Sequence, residues 1–328
     1  MVDVTEVTQV GEARREAMTM AREAGLDEND CGRVGIVVTE AATNLAKHAR
    51  HGRLLLQEVV EPRGALVALA LDGGPGVEHL GNPMSDGYST SGTPGTGLGA
   101  MVRQASFFDI HSQIGKGTSV CMAIWGRHAG RLAPWGMVGG LSVPCRGETV
   151  SGDGWAVRES KGRRTILVTD GLGHGTLAHE ASVAARAIFV AHADEPLTEI
   201  VERMHAGLRH TRGAAVAVCR LDPHDNVARF CGVGNIAGRI LNGEHTWGMV
   251  SHHGTAGSEA RKIQEFSYPW QPGSLLVLAS DGLATRWDLG DYPGLLQRDP
   301  MLIAGVLYRD HARERDDVTV VVARHERT

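Results

Sequence analysis

Between Asp27 and Arg50 the apolar residues Val34, Val37, Ala41 and Leu45 recur at steps of three and four, which is the spacing of one helical face. Asp27 stands where an N-cap belongs, ahead of an acidic first turn. The stretch from Thr8 to Ala24 predicts a helix before it. The pattern then turns strand-like: residues 53–61 and 65–71 flank Pro62-Arg63-Gly64 and predict a β-hairpin. From Gly73 to Gly99 the chain is dominated by Gly, Pro, Ser and Thr, too long a run for a connection without a task. A short helix over 98–105 follows. A second hairpin, 107–113 with 118–125, closes around Ile114-Gly115-Lys116-Gly117.

Residues 126–140 have little periodicity and mark a boundary. The expected division is a first domain over 1–128, a linker over 129–140 and a second domain over 141–328. In the second, 163–169, 214–221, 227–231 and 274–280 are strand-like, whereas 177–192 and 196–210 are helical. Many short strands with two consecutive helices predict an α+β sandwich, so the chain is expected to be α+β with two domains.

Composition removes several classes. A length of 328 residues suits two domains, and a net charge of −5 gives no general attraction to nucleic acid. No apolar run reaches the roughly 18 residues of a membrane span, and the start MVDVTEVTQV lacks the basic and apolar segments of a secretion signal. Cys31, Cys121, Cys145, Cys219 and Cys231 are odd in number without CxxC spacing, and read as reduced thiols of a cytoplasmic protein.

Three pieces of the first domain carry chemistry. Glu40 and Asn44 stand four apart on one helical face, with Lys47 a turn further on. An Asn carbonyl is a hard oxygen ligand suited to Mg²⁺, and a nearby Glu can accept a proton from an attacking hydroxyl. Asp72 ends a strand, where it can accept the exocyclic amine of adenine, while Gly74 and Gly76 let a base approach the backbone. Gly95-Thr96-Gly97-Leu98-Gly99 enters a helix whose free amides suit phosphate. Each piece alone equally fits a solvated helix face or an Asp-Gly turn. Their order is distinctive.

E-x-x-x-N, then D-x-G-x-G, then G-x-G-L-G resembles the ATPase superfamily of histidine kinases, gyrase and MutL. Over residues 5–126 the chain is most similar to its anti-sigma-factor and switch serine kinases, of the RsbW, SpoIIAB and RsbT types. The resemblance implies a Bergerat-type α/β sandwich that binds ATP with Mg²⁺. Glu40 would be the general base, Asn44 the Mg²⁺ ligand and Asp72 the adenine-reading acid. Lys47, Gly74, Gly76, Gly97 and Gly99 would line the nucleotide, Thr118 would contact adenine, and a lid would run from Val77 to Thr96. No phosphorylatable His box precedes Glu40, which disfavours a histidine kinase.

In the second domain aspartates stand at the ends of apolar strands: Asp153, Asp170 before Gly171, Asp281, and the pair Asp316-Asp317. Phosphate-ester hydrolysis needs charge neutralisation and a nucleophile at neutral pH, and two Mg²⁺ or Mn²⁺ ions held by oxygens supply both. The set resembles the metal-dependent PPM phosphatases in their SpoIIE-like branch, over residues 140–326. VTDGLGHGTLAHEAS, GVGNI and RDDVTVVVAR are similar to the RsbX type of the stressosome. The resemblance implies an α-β-β-α sandwich in which Asp170 and the Gly171 carbonyl contact both metals, with Asp153, Asp281 and Asp316 completing the site. The phosphate-binding Arg of eukaryotic relatives has no clear counterpart; Arg146 and Arg158 are the candidates. His174 stands open between catalysis and a solvated loop, and His252-His253 reads as surface loop.

Together the resemblances imply a partner-switching regulator that dephosphorylates Ser or Thr of a STAS-domain anti-sigma-factor antagonist or stressosome-type protein. The ATP-binding domain would phosphorylate the same partner. The alternative is a nucleotide-gated docking protein, of anti-sigma type, with no kinase activity.

Overall fold

The computed structural model describes residues 1–59, 64–77, 96–126, 137–313 and 315–326. In chain order it begins with β1 (Val2–Asp3), α1 (Thr8–Glu23), α2 (Glu28–His48), β2 (Arg53–Val59) and β3 (Ala65–Leu71). Then come α3 (Thr96–Gln104), β4 (Phe107–Gln113), β5 (Gly117–Trp125), β6 (Val138–Val143), β7 (Asp153–Ser160) and β8 (Arg163–Gly171). Next are α4 (Thr176–His192), α5 (Leu197–Gly207), β9 (Ala214–Asp222), β10 (Val227–Val233), β11 (Ala237–Asn242) and β12 (His245–Gly248). The chain ends with β13 (Gly254–Thr255), β14 (Glu259–Ala260), β15 (Glu265–Pro269), β16 (Leu275–Ala279), α6 (Pro300–His311) and β17 (Val318–Arg324). Among the described residues no helix is long and apolar enough to cross a membrane.

Two compact units result, and they do not follow linear order. One comprises Met1–Trp135 with Asp288–Arg309, the other Gly136–Trp287 with Asp310–Thr328.

In the first unit the strands form one antiparallel sheet, ordered β1-β2-β3-β5-β4. Asp27 caps α2 as its spacing predicts, accepting the Asp30 amide at 2.8 Å. Val34, Val37, Ala41 and Leu45 are all buried, in a core shared with α1 and with Leu66, Ala68 and Ala70 of β3. All seven residues of β3 are buried, although an antiparallel sheet commonly keeps one wet face. The second face is covered by Asp288–Arg309. A Cβ on Gly305 of α6 would stand 3.2 Å from Leu71 and 3.4 Å from Leu69. Asp109 of β4 accepts from the Asp299 amide at 2.8 Å and from Arg298 at 3.2 Å. Lys116 donates to the Asp291 carbonyl at 2.9 Å and lies over the Tyr292 ring.

The second unit stacks two antiparallel five-stranded sheets, β15-β10-β9-β8-β7 and β12-β11-β16-β17-β6. Ile166, Val168, Cys219 and Phe230 of the first meet Ile240, Leu276, Leu278 and Val321 of the second. Helices α4 and α5 cover the outer face of the first sheet with Ala181, Ala185, Phe189, Ile200 and Met204. These helices form a layer of the expected sandwich; α6 clusters through Arg309 with the other unit. Residues 138–140, the end of the expected linker, lie in β6 and pair with β17. Glycine is needed there. A Cβ on Gly140 would stand 2.9 Å from Val321 and 3.0 Å from the Trp155 ring.

Candidate functional site

Two clusters of chemistry-bearing residues emerge, one in each unit. In the first, Glu40 and Asn44 occupy one face of α2 and are both half-buried, while Lys47 in the last turn is exposed. Gly97 of α3 faces them: a Cβ there would stand 2.8 Å from Glu40 Oε2 and 3.8 Å from Asn44 Oδ1. Gly99 lies on the same helix. Gly95 and most of the expected lid, residues 78–95, lie outside the described residues.

Asp72 follows β3, and its carboxylate accepts the Gly74 amide at 2.6 Å. Burial pushes its pKa up, against the opposing pull of the Gly74 and Thr118 hydrogen bonds. Gly76 has φ +71°, and a Cβ there would overlap the Gln113 carbonyl, so the chain after Asp72 passes against the β4–β5 turn because glycine permits it. Thr118, at the start of β5, shares a hydroxyl hydrogen bond with Ser112 at 2.9 Å. The structure thus brings Glu40, Asn44 and Gly97 together and places Asp72, Gly74, Gly76 and Thr118 where β3 ends and β5 begins.

In the second unit the aspartates share one end of the stacked sheets. Asp153, first residue of β7, pairs directly with Asp170 near the end of β8. Asp281 follows β16, and Asp316 precedes the adjacent strand β17. Asp153 is buried with the hydroxyls of Ser280 and Thr319 beside it, and its Oδ2 has no hydrogen-bond partner among the described residues. Burial, then repulsion from Asp317 and Asp316, lifts its pKa to about 7. Asp170 rises to about 9 through burial and the charges of Asp153, Asp281 and Asp316. Asp281 is also raised, chiefly by burial, then by Asp316, with Arg313 and Asn235 opposing. Clustered carboxylates that resist ionising together, with an orphaned buried oxygen among them, fit a site for divalent cations. Gly171 is fixed by the hydrogen bond its amide donates to the Gly152 carbonyl at 3.1 Å, and a Cβ on it would overlap the Ala178 carbonyl.

Three residues gain roles that spacing did not reveal. Asp317 is buried, and its two oxygens accept the amides of Cys145 at 2.7 Å and Gly152 at 2.8 Å, so it fixes the chain entering β7. Asn235 donates to Asp281 Oδ2 at 2.7 Å, making the GVGN turn a support for that carboxylate. Ser182 of α4 donates to the Gly152 carbonyl. GVGN was legible as a motif near the site; the Asn235 contact was not. His174 pairs with Glu148 at 2.7 Å. His252 is not simple surface loop: its backbone bridges Gly232 and Gly234, and its ring lies against Phe266. Arg158 lies within β7, paired with Thr165 of β8, and Arg146 is exposed in the turn before that strand.

An ATPase-type sheet with a Glu/Asn helix face, followed by paired sheets ending in clustered aspartates, defines a histidine kinase-like ATPase domain joined to a metal-dependent phosphatase domain. Comparison with known proteins agrees. Residues 4–124 match the histidine kinase-like ATPase domain family and residues 160–326 match stage II sporulation protein E (SpoIIE). The chain belongs to the SpoIIE family of serine/threonine phosphatases, with an ATPase domain of the RsbT kinase type preceding it.

Serine/threonine-protein kinase RsbT of Bacillus subtilis (strain 168) is 33% identical over 115 residues, covering 34% of this chain and 86% of RsbT. Phosphoserine phosphatase RsbX of the same organism is 26% identical over 141 residues, covering 42% of this chain and 69% of RsbX. A solved structure from work on the bacterial stressosome as a modular system controlling secondary messenger signalling has a TM-score of 0.54 and 29% identity. That match covers 57% of this chain and 98% of the solved one.

Proposed function

We propose that this chain removes phosphate from phosphoserine or phosphothreonine of a STAS-domain regulator, and that its ATP-binding domain phosphorylates the same partner. The observation carrying the reading is the group of strand-end carboxylates around the orphaned Asp153 Oδ2. The likeness to a kinase and a phosphatase that exist as separate proteins supports opposed activities in one chain.

In the phosphatase site Asp153, Asp170, Asp281, Asp316 and the Gly171 carbonyl would hold two Mg²⁺ or Mn²⁺ ions. The chemistry such ions supply is charge neutralisation on the phosphoryl oxygens and a lowered pKa for water. The surrounding residues hold the ligands in place. Ser280 and Thr319 orient Asp153, Asn235 orients Asp281, and Asp317 anchors the turn from Cys145 to Gly152.

In the nucleotide site Asp72 would accept the adenine amine, Thr118 would add a hydroxyl contact, and Asn44 would ligate Mg²⁺. Gly74, Gly76, Gly97 and Gly99 would keep the backbone near the nucleotide free of side chains, and Lys47, exposed in the last turn of α2, would meet phosphate from the solvent side. Glu40 would take the proton of the attacking hydroxyl as its oxygen bonds to the transferred phosphorus and ADP leaves.

The test is mass spectrometry of a STAS-domain protein incubated with ATP, Mg²⁺ and each variant. Glu40→Gln should leave the partner unphosphorylated, and Asp170→Asn should let phosphate accumulate on it. Identical phosphorylation with both variants would refute opposed activities.

A further inference from the structure

Beside the aspartates, three side chains of different chemistry converge from two loops. The Cys145 thiol, a Glu148 carboxylate oxygen and a His174 ring nitrogen all lie within 4.8 Å of one another. Cys145 is also the one cysteine of the five that is not buried. The loops are held in place rather than loosely apposed. Cys145 donates its amide to Asp317 at 2.7 Å, and Glu148 donates its amide back to the Cys145 carbonyl at 3.1 Å, closing a turn over Gly147 at φ +97°. On the facing loop, His174 Nδ1 meets Glu148 Oε1 at 2.7 Å. Gly175 allows that approach, since a Cβ on it would stand 2.9 Å from Glu148 Oε2.

We propose that Cys145, Glu148 and His174 form a zinc-binding site, chemically separate from the all-oxygen site of the aspartates. Zn²⁺ accepts thiolate, imidazole and carboxylate in a four-coordinate shell, and three protein ligands leave one position for water. Mg²⁺ and Mn²⁺ favour oxygen donors and discriminate against a thiolate, so neighbouring sites select different ions. The carboxylate of Glu148 in the cluster, and that of Asp317 on the Cys145 amide, favour a cation there. As the zinc–sulfur bond forms, the thiol gives its proton to solvent. The His174–Glu148 hydrogen bond is exchanged for bonds to the metal. His174 is 60% exposed on its side chain, so the ion reaches the site directly from solvent.

Cobalt tests this, because Co²⁺ substitutes for Zn²⁺ and shows a thiolate charge-transfer absorption. The full chain, stripped of metal and supplied with excess Mg²⁺ to occupy the aspartates, is titrated with Co²⁺ and then Zn²⁺. The expected result is one equivalent of Co²⁺ with the charge-transfer band, displaced by one equivalent of Zn²⁺. Cys145→Ser should abolish the band, and His174→Gln should weaken Zn²⁺ binding by at least ~10-fold. The exposed position of His174 makes that second variant safe for folding. Absence of the band in the parent chain, its persistence in Cys145→Ser, or unchanged Zn²⁺ affinity in His174→Gln would each overturn the proposal.

Discussion

Replacing Asp317 should unfold the phosphatase unit more readily, whereas replacing its neighbour Asp316 should not. Asp317 is 2% exposed and accepts two backbone amides, at 2.7 Å and 2.8 Å. Hydrogen bonds to a charged group are worth about 1.5–3 kcal/mol each, and alanine would leave both amides without that partner. The gross loss is therefore about 3–6 kcal/mol. Against it stands the repulsion that Asp317 exerts on Asp153 and Asp170, which alanine relieves. A net loss of about 2–4 kcal/mol remains, and for a unit of this size that lowers Tm by about 4–16 °C. Asp316 is half-exposed and accepts one amide at 3.0 Å. Asp316→Ala should change stability by less than ~1 kcal/mol while abolishing metal-dependent turnover, because it removes a like charge along with a ligand. Urea unfolding of the full chain in chelator, followed by tryptophan fluorescence, measures both. A loss below ~1 kcal/mol for Asp317→Ala, or a larger loss for Asp316→Ala, would refute this division of roles.

Other outcomes follow from the same geometry. In chelator, Asp153 and Asp170 have folded pKa values raised above the unfolded value of 3.8, so the folded chain binds more protons and is stabilised at low pH. That stability should fall as pH rises from about 4 through about 7 and on to about 9, and added Mn²⁺ should flatten the slope; a chelated chain that grows more stable over this range contradicts the carboxylate cluster. Asp72→Ala should weaken ATP binding by about 10- to 100-fold through loss of a charged acceptor, which calorimetry reads directly. Gly97→Val should abolish nucleotide binding, since a Cβ alone would stand 2.8 Å from Glu40; unchanged affinity would place the nucleotide elsewhere. Gly140→Val should cost about 2 kcal/mol by overpacking against Val321 and Trp155, measured by thermal unfolding.

Much of this was legible where one physical signal dominates. The α2 stripe and the Asp27 cap are local, and the structure has both where the spacing puts them. The glycine-rich boundary misled because Gly139 and Gly140 weaken strand propensity, while the tertiary neighbours Val321 and Trp155 explain why glycine is needed at Gly140. Helix α6 shows no amphipathic pattern because Pro300 to Tyr308 are all buried, so periodicity gave it no signal. The strand-end aspartates could be read, but Asp317 could not be told from Asp316 by type or spacing. That distinction depends on amides 165 and 172 residues away in the chain. Asn235 is similar: its partner Asp281 lies 46 residues on.

The central claim is a two-cation phosphatase built on these aspartates, and turnover of a phosphoserine-bearing STAS protein tests it most directly. The parent chain should release phosphate only with Mn²⁺ or Mg²⁺ present, and Asp170→Asn should release none while keeping its folded far-ultraviolet dichroism. Phosphate release by Asp170→Asn at the parent rate, or by the parent chain in excess chelator, would contradict it.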